Sequence, residues 1–460
     1  MFTPLRLLVC AVLTAGVLFA QSAPAAPAPP SSNPDDTDEM LSFISALSQL
    51  SDSPNGPKDQ LAYTVRFAEI YDSNPLARLR KLEDDHINSF GGSLGLAKSW
   101  RHTALTANYV GGADYYTTFD KQNQMYQHLN GAESFDWGRA KLLVGGDYER
   151  LPASAFGFAA THQISETYYT LINPDLVPNQ SIQTPLLERT SRAAIVQLGL
   201  RLSDRSSLDI SGSYARLRYA KNGIAGTNQA GAGLGYSLAL SSRDSIGVAY
   251  QHGIFQTSHD NPVQVMDSVV TASYAHRFTD NLVVKLGAGP DLRTYTGTKS
   301  KLLQGVDPTV AANAQLDYSV DRTHFNVGYW RSTISGQGVL DGGDNDQIQL
   351  TASQSLGHGF EVSSSFGYAR SVSLARVVQA RKVLDVDSIF NSDFFSASLS
   401  KRLAGSVSLI FGYALQNQSA SAQICVSGLC QDYPAHHVLT FGFAISPKPI
   451  DLRGKSRQEE

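Results

Sequence analysis

The sequence predicts an all-β fold: a transmembrane, antiparallel, up-and-down β-barrel of about 18 strands, with 16 as the alternative, short periplasmic turns and long external loops. Three observations carry that expectation. Between Gly138 and Leu403 the chain runs repeatedly through segments of about ten residues in which apolar and polar side chains alternate. The connections alternate as well, a very short turn being followed by a longer, irregular loop, and a water-soluble sandwich has no reason to keep that asymmetry. After Phe19 no apolar run reaches the roughly 20 residues of a spanning helix, so only a sheet closed on itself could pair every backbone group in lipid.

At the start of the chain, Arg6 precedes the apolar run Leu7 to Phe19, and Ala-rich sequence follows from Ala20 to Ala26. This is the pattern of a secretory signal peptide, placed at 1–20 with cleavage after Ala20. Cys10 lies inside the apolar run behind Val9, which does not fit a lipoprotein cysteine. Residues 21–60 read as a periplasmic linker rich in Pro, Ser, Asp and Ala. Within it Met40, Leu41, Phe43, Ile44, Leu47 and Leu50 recur at helical spacing behind Asp38, a suitable N-cap, which predicts a short amphipathic helix over 38–50. Helices this short are marginal alone, so it either frays or rests on the barrel mouth, or else it serves as a plug or a partner-docking helix.

The barrel is expected over 61–446, followed by a C-terminal tail, 447–460. Its candidate strands cover 61–72, 86–99, 103–116, 123–137, 139–151, 190–203, 206–219, 227–240, 245–256, 264–278, 281–295, 309–320, 323–335, 345–356, 360–373, 390–403, 405–419 and 434–446. An even count leaves both termini in the periplasm. Tight, polar or Gly-bearing turns such as Trp100-Arg101-His102, Asp136-Trp137-Gly138, Asp321-Arg322 and Gly357-His358-Gly359 suit hairpins. The longer connections, 73–85, 152–189, 296–308, 374–389 and 420–433, all fall at the other ends of the strands.

Alternation assigns the faces. Val407, Leu409, Phe411, Tyr413 and Leu415 share one face while Ser408, Gly412 and Gln416 share the other; Leu282, Val284, Leu286 and Ala288 oppose Lys285, Asp291 and Arg293 in the same way. The apolar set should meet lipid, which leaves a polar interior, either a wet lumen or a polar plug. Apolar residues at 42% and a mean hydropathy of −0.17 agree with one face in lipid and one in water. A net charge of −4 with mixed signs gives no footing for nucleic acid. Trp100 and Trp137 at periplasmic turns, and Tyr71, Tyr115, Tyr148, Tyr219, Tyr329 and Tyr368 near the opposite ends, fall where interfacial aromatic girdles belong.

With these features together, residues 61–446 resemble a Gram-negative outer-membrane β-barrel of the porin-like, putative β-barrel porin class. The segment from Tyr63-Thr64-Val65 to Tyr71-Asp72-Ser73-Asn74 is similar to the first strand of barrels associated with exopolysaccharide clusters. The resemblance implies an outer-membrane channel for passive passage of small hydrophilic solutes, with a link to surface-polysaccharide export. It implies lipid, lipopolysaccharide, small hydrophilic solutes or a glycan, and the barrel-insertion machinery as partners. Such barrels usually end on an aromatic residue, whereas here Leu439 to Ile445 runs on into a charged tail to Glu460, leaving Phe441 and Phe443 to serve as the insertion signal. The third external loop of general-diffusion porins narrows the lumen, so 152–189 is either a constriction or a surface loop. A non-conducting barrel acting as an adhesion or assembly platform is the alternative.

The charged residues that parity sends inward are Lys141, Asp147, Glu149, Arg201, Lys285, Asp291, Arg293, Asp317 and Glu361. They either line water, giving a field of mixed sign and weak selectivity, or form wall-bracing ion pairs. Arg216, Arg218, Arg331 and Arg370 share the lipid-facing parity but lie near external strand ends, where they either pair with lipid-headgroup phosphates or stand as solvated rim residues. Cys425 and Cys430, five residues apart around Gly428, are expected to form a disulfide in an oxidising compartment. No Ser–His–acid spacing, carboxylate pair, phosphate loop or Cys/His metal cluster singles itself out, so neither catalysis nor a metal or other cofactor is expected.

Overall fold

The computed structural model describes residues 59–75, 83–151, 188–219, 226–257, 264–296, 306–334, 343–373, 377–379, 382–384, 389–421 and 433–452. The signal sequence at 1–20, the helix at 38–50, nearly all of the 152–189 loop and the Cys425–Cys430 pair lie outside these residues.

The described chain forms β1 (Gln60–Asp72), β2 (Asp85–Ser99), β3 (Thr103–Tyr116), β4 (Gln124–Asp136), β5 (Ala140–Leu151), β6 (Arg189–Ser203), β7 (Ser206–Tyr219), β8 (Thr227–Ala239) and β9 (Asp244–Thr257). It continues with β10 (Gln264–Thr279), β11 (Leu282–Thr296), β12 (Val306–Val320), β13 (Thr323–Ile334), β14 (Gly343–Gly357), β15 (Phe360–Ser373), β16 (Ile389–Ala404), β17 (Val407–Ser421) and β18 (Tyr433–Ile445). Each strand pairs antiparallel with the next, and β1 pairs with β18, so the sheet closes into an 18-strand barrel. The strand lengths, 12 to 16 residues, exceed the 9 to 11 that a tilted membrane strand needs, so each strand projects beyond the hydrocarbon. A short hairpin, Val377–Gln379 with Lys382–Leu384, occupies part of the 374–389 connection.

The periplasmic turns are as tight as the sequence predicts. Asp321 and Arg322 alone connect Val320 to its partner Thr323, with Asp321 at φ 45°. Gly357, His358 and Gly359 all sit at positive φ, the conformation that glycine adopts without steric cost. Register shifts occur beside several of these turns, at Arg201/Ser203, Arg277/Thr279, Ser355/Gly357 and Arg402/Ala404, where a bulge increases the local twist.

The closing seam is shorter than the other strand pairs. β1 meets β18 only from Val65↔Ile445 to Asp72↔Val438, whereas its pairing with β2 runs from Gln60↔Ala97 to Asp72↔Asp85. The lower part of the β1 edge is taken up by residues of the expected tail. Beyond Pro447 and Pro449, which cannot donate to a ladder, Ile450 and Asp451 pair with Leu61 and Gln60, and the Leu452 N–H donates to the Asp59 carbonyl at 2.8 Å. At the external end Asp72 and His436, both buried, hydrogen-bond across the seam. The Ser73 N–H donates to the His437 carbonyl at 3.0 Å, and the His437 N–H to Ser73 Oγ at 2.9 Å.

Candidate functional site

The exposed large side chains fall on one alternation around the wall. Tyr63 and Val65 on β1, Val144 on β5, Ile210 and Tyr214 on β7, Val248 and Tyr250 on β9, Leu286 and Leu292 on β11, and Phe411 on β17 are all 41–56% exposed. So wide an apolar surface on a closed sheet has no place in water, and each of the 18 strands has a ladder partner on both sides. Trp100 and Trp137, at 53% and 58% exposed, mark the periplasmic rim. The protein is a bacterial outer-membrane β-barrel. Tyr219 departs from the girdle expected of it, because it shares the inward parity of the buried Ala215 and Leu217.

Similar barrels are found among solved structures. The chain is similar to OccK2 (OpdF) of Pseudomonas aeruginosa in complex with glucuronate, at 10% identity and a TM-score of 0.41, over 84% of this chain and 98% of that one. It is also similar to Pseudomonas aeruginosa OpdQ, at 12% identity and a TM-score of 0.41, over 84% and 99%, and to the FrpB iron transporter of Neisseria meningitidis (F3-3 variant), at 9% identity and 0.43, over 85% and 68%. No protein-family model and no curated protein matches the sequence.

The opposite alternation faces inward, and its external half carries two polar clusters. On β1 to β5, Arg66 donates to the Tyr126 hydroxyl at 3.3 Å, and His128 Nε2 lies 2.5 Å from Asp147 Oδ2. Glu149 sits directly across from His128, and Asp114, on β3, across from Ser89. Both carboxylates are buried, and Asp114 Oδ1 has no hydrogen-bond partner. Asp85 is committed to local structure, since it accepts the N–H groups of Thr118 and Phe119 at 2.9 and 3.0 Å.

The second cluster lies where β12 and β13 part. Their ladder stops at Ala312↔Arg331, so Val306–Ala311 pair only with β11 and Ser332–Ile334 only with β14. Side chains of both alternations converge there. Arg293, 3% exposed, donates to Asp344 through Nη1 at 2.5 Å and Nη2 at 3.3 Å, and its Nη2 lies 3.2 Å from Asp307 Oδ2. Tyr295 donates to Asp307 at 3.1 Å and Thr333 to Asp291 at 2.8 Å. Asp291 is fully buried and its Oδ1 has no partner. Arg293 thus reaches Asp344 across two intervening strands.

Toward the periplasm the inward charges are more exposed and mixed in sign. Lys285 and Asp317 stand 3.8 Å apart, and Asp317 also accepts from Asn326 at 2.5 Å and Gln315 at 3.1 Å. Lys141, Arg201, Asp209, Arg277, Glu361 and Arg402 share this half, with Arg201 and Glu361 at the exposed strand ends. On β7 to β9 many of the inward positions are small: Ser207, Ser211, Ser213, Gly231, Gly233, Gly235, Ser237, Ser245 and Gly247. Ser207 and Ser237 hydrogen-bond at 2.7 Å, as do Ser363 and Ser398 on β15 and β16. Two inward rings lie over glycines: Trp330 covers Gly328 and Phe394 covers Gly367, so closely that a Cβ on either glycine would come within 2.0 Å of the ring.

The residues that sequence reasoning left out are Arg66, Asp72, Asp85, Asp114, His128, Asp267, Asp307, Asp344 and His436. Parity was available for several, as Asp114 alternates with the exposed Tyr115. Arg216, Arg218, Arg331 and Arg370 all keep the outward alternation near external strand ends. Among the described residues no group of three or more His, Cys, Asp or Glu side chains is placed to hold a metal.

Proposed function

We propose that the protein is a passive outer-membrane channel for small hydrophilic solutes and that its external half favours cations. One observation carries the reading. In that half, Asp72, Asp85, Asp114, Asp147, Glu149, Asp267, Asp291 and Asp307 face inward against Arg66 and Arg293 among the described side chains. The neutral donors Tyr295 and Thr333 hold Asp307 and Asp291 in place. Enclosed by a low-dielectric wall, such a set raises the local concentration of cations and repels anions. The serine- and glycine-rich sector on β7 to β9, which also carries Asp209, offers a hydroxylated path beside it.

Planar-bilayer recording of the purified full chain tests both parts. Stable unitary steps are expected, with a zero-current potential in a potassium chloride gradient whose sign reports cation preference. Folded protein, shown by heat-modifiable gel migration, that conducts at no voltage overturns the channel reading and favours an assembly or adhesion platform. An anion-selective potential overturns the preference alone.

A further inference from the structure

Four arginines meet on the outward face at the external end of β5 to β7. The register places Tyr148, Arg192 and Arg216 side by side in one row, and Arg150, Thr190 and Arg218 in the next row outward. Arg192 and Arg216 are direct cross-strand partners, an arrangement that like charges disfavour on a sheet. Among the described residues Glu188 pairs with Arg150, with Nε–Oε1 at 2.7 Å and Nη2–Oε2 at 3.1 Å. Among the described residues Arg192, Arg216 and Arg218 have no acid partner, and Arg216 Nε is buried without a hydrogen bond. Arg331 and Arg370 differ, since both flank Asp346 in the register and Arg331 Nη1 lies 3.6 Å from its Oδ1.

Below the arginines the wall turns apolar and shallow. The next outward row holds Gly146, Ala194 and Tyr214, and a Cβ built on Gly212, one row further down, would meet open space. Arg192 lies over the Tyr148 ring at 5.6 Å, held at the level where an interfacial tyrosine sits. A cationic row above a shallow apolar strip matches an amphiphile with phosphates on its head and acyl chains beneath.

We infer that Arg192, Arg216 and Arg218 form a binding site for a phosphorylated glycolipid of the outer leaflet. Each guanidinium presents a planar fork to phosphate oxygens, and the anion removes the repulsion between Arg192 and Arg216. The site sits on the outer wall, apart from the lumen, and does not depend on whether the barrel conducts.

The test uses the full chain in a non-ionic detergent with bisphosphorylated lipid A as probe, read by native mass spectrometry and by the midpoint of heat-modifiable gel migration. Wild type is expected to retain lipid A and to unfold at a higher temperature with it, while dephosphorylated lipid A and millimolar inorganic pyrophosphate leave the midpoint unmoved. The triple variant Arg192→Gln, Arg216→Gln, Arg218→Gln is expected to bind about tenfold or more weakly, and Arg331→Gln with Arg370→Gln to bind as wild type does. Arg216→Gln alone, without lipid A, is expected to unfold no earlier than wild type, which separates loss of a ligand from loss of folding. Undiminished retention by the triple variant, or equal protection by pyrophosphate alone, overturns the inference.

Discussion

The external and periplasmic halves of the inward wall are built on the same strands and the same alternation, yet they handle charge in opposite ways. Toward the outside, charges are buried and mostly acidic, and Arg293 is enclosed by Asp344 and Asp307. Toward the periplasm, Lys285 and Asp317 stand 3.8 Å apart with side chains 42% and 38% exposed. A buried charge depends on its partners because water cannot replace them, whereas an exposed one loses little when its partner goes. The external half is therefore where single substitutions should show, in stability and in selectivity.

Arg293→Met gives the largest expected effect. It leaves Asp344, Asp307 and Asp291 without their cation, a loss of about 3–5 kcal/mol, readable as a fall in the temperature of heat-modifiable migration. Equal losses from Arg293→Met and Lys285→Met would break the contrast between the halves. At the seam, His436→Ala removes the buried partner of Asp72 and is expected to cost about 1–3 kcal/mol. Ser446→Ala, which removes only the exposed hydroxyl contact to Thr64 at 2.9 Å, is expected to cost about 0.5 kcal/mol or less.

Selectivity sharpens the same comparison. Asp114→Asn with Asp147→Asn and Glu149→Gln is expected to lower the cation-to-anion permeability ratio about fivefold. Asp209→Asn with Asp317→Asn and Glu361→Gln should change it by less than about twofold. Zero-current potentials in a salt gradient measure both, and the preference should weaken from 0.1 M to 1 M salt as the screening length falls from about 10 Å to about 3 Å. Lys285→Met is expected to cost only about 0–1 kcal/mol, since its pair is exposed.

Much of this architecture is legible in the chain, because strand parity is local. A side chain's face follows from its neighbours, so Asp147, Lys285 or Arg293 can be placed without knowing any partner strand. The short turns and long loops likewise give the barrel and its orientation. The meetings between residues are not legible. Asp72 and His436 come together only because the barrel closes, and Asp344 reaches Arg293 from the outward alternation only because the β12–β13 ladder ends early. The opposed Arg192 and Arg216 follow from the β6–β7 register, which shifts by one residue at Arg201/Ser203, a bulge that the sequence does not reveal.

The rings over Gly328 and Gly367 make the bore's tolerance to change one-sided. Because Trp330 and Phe394 occupy space that a missing Cβ vacates, the backbone sets the clearance at these places and ring size does not. Any side chain larger than hydrogen at either glycine lifts an aromatic edge toward the axis. Substitutions there can only narrow the passage.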